Sequence, residues 1–123
     1  MTDDEKSFRE AMGWMAEQKL TGEQWKVFAW IVPELGFDCW MRVDQKDLAE
    51  RMGMHRNRVS RSIRRLKELG VLEEGPMAGA HKTYRLCLLE IGRRERGIRA
   101  KVLDFDKAKS KKRAARHGKN NEE

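Results

Sequence analysis

Two helical segments joined at a glycine turn, two β-prone runs that follow them, and an excess of basic side chains in the second half predict a mainly α fold with a small β-hairpin, a winged helix-turn-helix. The helical pair lies in QKDLAERMGMHRNRVSRSIRRLKELGVL, residues 45–72. Ala49 is small enough for a close helix crossing, and Gly53 tolerates the positive φ of a tight turn. Leu48, Met52, Val59, Ile63 and Leu66 recur at the spacing that docks the second helix on the first. An ordinary helical hairpin would share this periodicity; the hairpin that follows is what completes the winged order.

The other elements follow from punctuation and period. Residues 3–19 read as a first helix, with Phe8, Met12 and Met15 at helical spacing and Asp3, Asp4 and Glu5 at the end where the helix dipole favours acids. Leu20-Thr21-Gly22 breaks it. Thr21 with Gln24 forms a capping box for a second helix, whose stripe is Trp25, Phe28, Ala29 and Val32, widened by Trp30 and Ile31. Pro33 and Gly36 close that helix, and Phe37–Val43 holds one small strand. Asp44 caps a short helix from Gln45 to Met52. A longer helix runs from about His55 to Leu69 and stops at Gly70. Val71–Glu73 reads as a strand, Gly75–Ala80 as a loop, and His81–Leu88 as the return strand, with Tyr84, Leu86 and Leu88 on one face. Ile91, Ile98, Val102 and Phe105 line one side of a last helix that Gly92 and Gly97 weaken.

Charge separates the halves. Residues 1–54 hold 7 basic and 11 acidic side chains, whereas residues 55–123 hold 20 basic and 9 acidic. A chain charged in this way is suited to meet a polyanion on one side. No apolar run is long enough to span a membrane, and the acidic start MTDDEKSFRE is unlike a secretory signal, so a cytoplasmic protein is expected. Cys39 and Cys87 show no metal-site spacing and read as two buried free thiols. No phosphate loop, metal constellation or nucleophile elbow is present, and Asp104 and Asp106 have no histidine or further acid beside them; no enzyme activity, cofactor or small-molecule ligand is implied.

The helix after the glycine turn carries five arginines in the ten residues Arg56 to Arg65. With Val59, Ile63 and Leu66 inward, Asn57, Ser60, Arg61, Arg64 and Glu68 lie on or near the other side. Arginine and asparagine read guanine and adenine edges in the major groove. Such a face also suits RNA or an acidic protein, which leaves an adaptor as an alternative; its place in a helix-turn-helix favours double-stranded DNA.

Residues 45–72 resemble the winged helix-turn-helix of many bacterial regulators, and HRNRVSR is similar to the start of the recognition helix in the catabolite-activator and MarR-like groups. Residues 20–75 also resemble the N-terminal domain of phage replication protein O and plasmid replication proteins of the RepL type. The resemblance implies base reading by Arg56, Asn57 and Arg61, in a bacterial protein associated with nucleoid or plasmid. His55 departs from the commoner serine cap, so the helix start is open by a residue or so.

Backbone phosphate contacts are expected from Arg58, Ser60, Arg64 and Arg65, from the wing residues His81, Lys82 and Arg85, and from Lys111, Lys112 and Arg113 in the tail. The wing loop itself is uncharged, so the hairpin could instead only cover the core. From Lys107 to Lys119 seven of 13 residues are Lys or Arg and none is acidic, the composition of a disordered segment. The expected organisation is a helix over 1–19, a DNA-binding domain over 20–89, a helical extension over 90–106 and a basic disordered tail over 107–123. The expected function is a sequence-specific transcriptional regulator of plasmid or phage type. A replication initiator binding origin repeats is the alternative. The stripes Phe8, Met12, Met15 and Ile98, Val102, Phe105 suggest a homodimer joined by the terminal helices; if both fold back on their own domain, the chain is a monomer.

Overall fold

A computed structural model describes residues 1–37 and 39–118, with side chains described through Asp104. The chain runs α1 (Asp3–Glu17), α2 (Gly22–Glu34), β1 (Met41–Arg42), α3 (Gln45–Met52), α4 (Arg56–Glu68), β2 (Leu72–Ala78), β3 (His81–Leu86) and α5 (Leu88–Gly118). The strands form one antiparallel sheet in the order β1-β3-β2. A mainly helical body carrying a β-hairpin wing is the fold class predicted from the sequence, and β1 joins that hairpin as a third strand.

The caps act where the sequence places them. Thr21 and Gln24 exchange side chain-to-backbone bonds of 3.2 and 3.0 Å, a complete capping box at the start of α2. Asp44 accepts from the amides of Lys46 and Asp47 at 3.1 and 3.2 Å, and these bonds hold its carboxyl below the usual carboxylate range. Helix α2 continues one residue past Pro33, because a proline in the last turn displaces little of the bonding behind it.

Helix α2 differs from the expected stripe. Val27, Phe28, Ile31 and Leu35 are buried, Trp25 and Val32 are half-buried, and Ala29 and Trp30 are exposed. The core lies one step around the helix because α2 packs on α4. Trp30 instead lies under the Arg51 guanidinium, 5.8 Å from the ring centre. The one small strand expected within Phe37–Val43 is Met41–Arg42, with a lone bridge from Phe37 to Leu86 besides. Strand β2 reaches Ala78, through the segment expected to be loop, with an irregularity between Glu74 and Met77 that admits Pro76. Leu88 opens α5 rather than ending a strand. Cys87 is buried, which pushes its thiol pKa up, but Cys39 is exposed, contrary to expectation.

One hydrophobic cluster takes residues from α1 through α5, including Ala11, Met15, Ile31, Leu48, Val59, Leu66, Tyr84, Leu86, Leu88 and Ile91. The N-terminal helix thus helps build the core of the winged unit. It crosses α5 closely: Gly92 lies on the backbone of Ser7, where an added Cβ has no room, and Ser7 and Ala11 are both fully buried. Arg93–Asp4 at 3.4 Å and Arg99–Glu10 at 2.5 Å tie the edges of this crossing. The backbone of α5 continues through 107–118, where the sequence predicts disorder; alanine, lysine and arginine are good helix formers and here extend a helix that is already nucleated. Residues 119–123 lie outside the described residues.

Candidate nucleic-acid interface

The site is built on the turn between α3 and α4. Gly53 adopts the left-handed conformation, φ 64° and ψ 34°, and its amide bonds back to Ala49 and Glu50. The amide of Met54 also bonds to Ala49 at 2.9 Å, so the turn is tight. His55 then caps α4: its Nδ1 accepts from the Asn57 amide at 3.1 Å. The imidazole therefore does what serine more often does, and α4 begins at Arg56.

Val59, Ser62, Ile63 and Leu66 face the core, burying α4 along one side. The opposite row is Asn57, Arg61, Arg64 and Glu68, all exposed, with Arg56 exposed in the first turn. Arg56, Arg61 and Arg64 have no ion-pair partner among the described residues. Three forked guanidiniums and one amide thus stand out from a helix whose other side is locked into the core, a geometry able to enter a major groove.

The family model of the MarR family matches residues 18–81, just over half of the chain. The chain belongs to the MarR family. This makes it, in general terms, a DNA-binding transcriptional regulator with a winged helix-turn-helix. No curated protein and no solved structure matches it. The matched span starts just before α2 and ends at the first residue of β3, so α1 and α5 of this MarR-family chain lie outside it.

The remaining expected contact residues of the MarR-family unit are placed unequally. Arg58 lies beside the outer row and pairs with Glu23 of α2 at 3.0 Å. Arg65 is half-buried and lies 3.8 Å from Glu68, and Ser60 is half-buried. In the wing, His81 is half-buried and Lys82 is exposed, 3.5 Å from Glu74. Arg85 is held by Glu73 at 2.8 Å and Glu90 at 3.2 Å and lies over Trp40, 5.4 Å from the ring centre. These contacts commit Arg85 to fixing the sheet to α5. The side chains of Lys111, Lys112 and Arg113 lie outside the described ones, on helical backbone.

Two carboxylates absent from the expected site prove to border it. Glu23 meets Arg58, and Glu74 meets both Lys67 of α4, at 2.7 Å, and Lys82 of β3. The Lys67 ammonium, aided by Lys82, holds the Glu74 carboxyl below its usual range. Nothing in sequence spacing brings these residues together; α2 and the wing do so only by packing on α4. Among the described residues no helix is long and apolar enough to cross a membrane.

Proposed function

We propose that this MarR-family chain is a sequence-specific operator-binding regulator of plasmid or phage type, reading base edges with Arg56, Asn57 and Arg61. The single observation that carries this is the outer row of α4, exposed and free of carboxylate partners among the described residues apart from Glu68 at its far end. Arg64 within that row, Arg65 and Ser60 beside it, and His81 of the wing are assigned to the phosphate backbone. The plasmid or phage assignment rests on the likeness of residues 20–75 to replication proteins of those elements. Selection from a random duplex library tests the reading. One enriched inverted repeat supports it, iterated direct repeats would point to an origin-binding initiator, and retention of RNA or no enrichment would sink it.

The same reading includes a two-fold dimer, because one winged unit reads few base pairs and paired half-sites lie about 34 Å apart. The stripe on α1 is already spent on the chain's own core: Ala11 and Met15 are fully buried, and Phe8 packs edge-on against Phe37. Ile98 and Val102 of α5 stay 49% and 52% exposed, one helical turn apart, and with the exposed Leu103 are assigned to a second copy; the side chain of Phe105 lies outside the described ones. Sedimentation at micromolar concentration should give a dimer for the native chain and a monomer for Ile98→Glu/Val102→Glu; a native monomer would refute the dimer.

The basic tail is assigned to the DNA backbone. Removing residues 107–123 should leave the fold intact and reduce the log–log salt slope of binding by roughly 4 to 5, the loss of about five phosphate contacts. An unchanged slope would show that the tail does not touch DNA.

A further inference from the structure

The cations around α4 are not equally available. Along the helix at about 100° per residue, Arg58 lies on one flank of the outer row and Lys67 on the other. Each flank is met by a carboxylate from a different element. Glu23, in the first turn of α2, takes Arg58 at 3.0 Å. Glu74, on β2, takes Lys67 at 2.7 Å and Lys82 at 3.5 Å, joining the recognition helix to the wing. The row between them holds Asn57, Arg61 and Arg64, and Arg56 projects from the first turn; none of these three arginines has an ion pair among the described residues.

We propose that Glu23 and Glu74 are specificity-determining residues, which withhold Arg58, Lys67 and Lys82 from sequence-blind phosphate contacts and leave discrimination to the outer row. The inference rests on duplex DNA being the ligand of α4. A lysine or arginine bound to a carboxylate must break that pair before it can displace a phosphate counterion. The carboxylate left behind then stands close to phosphates and repels them. On a selected duplex the groove contacts of the outer row set the register and these pairs stay closed; on any other duplex the freed cations would be main contacts, so both effects fall on sequence-blind binding. Since specificity is a ratio of affinities, lowering the sequence-blind part raises it.

The test uses the full chain with Glu23→Gln, Glu74→Gln and both together. Binding to the library-selected duplex and to a scrambled duplex of equal length is measured over a salt series. Glutamine keeps the size and removes the charge. The double variant frees three cations, so its salt slope on scrambled duplex should steepen by about 2 to 3, with about 1 from Glu23→Gln and about 2 from Glu74→Gln. At ~0.1 M salt its affinity for scrambled duplex should rise at least about tenfold, and the ratio of selected to scrambled affinity should fall. An unchanged slope on scrambled duplex, or an equal change of affinity on both duplexes in either direction, would overturn the inference while native discrimination leaves the DNA reading standing. A native chain that binds neither duplex overturns both. Should Glu74→Gln disturb the wing, seen as a lowered melting temperature, the slope of Glu23→Gln alone decides.

Discussion

Gly92→Ala is expected to cost about 3 kcal/mol of stability, while Gly97→Ala, five residues along the same helix, should gain up to about 1 kcal/mol. The opposite signs come from one structural difference. At Gly92 an added Cβ would run into the backbone of Ser7, and backbone cannot swing aside as a side-chain tip can. At Gly97 nothing described lies within 4 Å, so only the better helix propensity of alanine remains. Overpacking at Gly92 must push α1 off α5, and α1 carries the fully buried Ala11 and Met15 into the core. For a chain of this size the first change should lower the melting temperature by roughly 10 °C and the second should raise it by a few degrees. Thermal melts followed by circular dichroism decide the matter. Equal behaviour of the two variants would mean that α1 and α5 do not cross at Gly92.

Arg61→Ala is the second expected large effect, and it falls on binding rather than folding. The side chain is exposed, without an ion-pair partner among the described residues, and lies opposite the buried Val59, Ile63 and Leu66. Truncation should therefore leave the melting temperature nearly unchanged. Affinity for the selected duplex should fall by about 1–3 kcal/mol, and affinity for a scrambled duplex should change little. Equal losses on both would make Arg61 a phosphate contact and return base reading to Arg56 and Asn57. Arg85→Ala makes a useful contrast. Because Arg85 is bound by Glu73 and Glu90 and lies on Trp40, its removal should be felt first in the sheet.

The expected contacts divide according to what fixes each side chain. Arg56, Asn57, Arg61 and Arg64 project from a helix whose buried side is written in its own period, so their exposure follows once that period is recognised. Arg85 reads from sequence as a wing cation like Lys82. In the fold it faces Trp40, which approaches the sheet at Gly75, where an added Cβ would meet the indole at 2.6 Å. The alternation of a strand specifies which face a residue takes, but not what covers that face. The same limit applies to the first helix: Phe8, Met12 and Met15 announce an apolar stripe without saying whether a second copy or the chain's own last helix buries it.

By itself the sequence determined the elements that depend on near neighbours. Thr21 with Gln24, Asp44, Gly53, and the run Val59, Ile63, Leu66 act over three to seven residues, and they produced the caps, the turn and the inward face of α4 where expected. His55 capping through Nδ1 belongs with them, as a local bond made by a less usual residue. Tertiary structure alone decided which distant residues meet. Glu23 reaches Arg58 across 35 positions because α2 lies against α4, and Glu74 joins Lys67 to Lys82 because the wing folds back beside the recognition helix. Gly92, which reads as a weak point in a helix, is instead the place where α1 can approach α5. Caps and periods are properties of a chain segment. Ion pairs between elements and close backbone crossings are set by how those segments pack, where each position depends on the whole core.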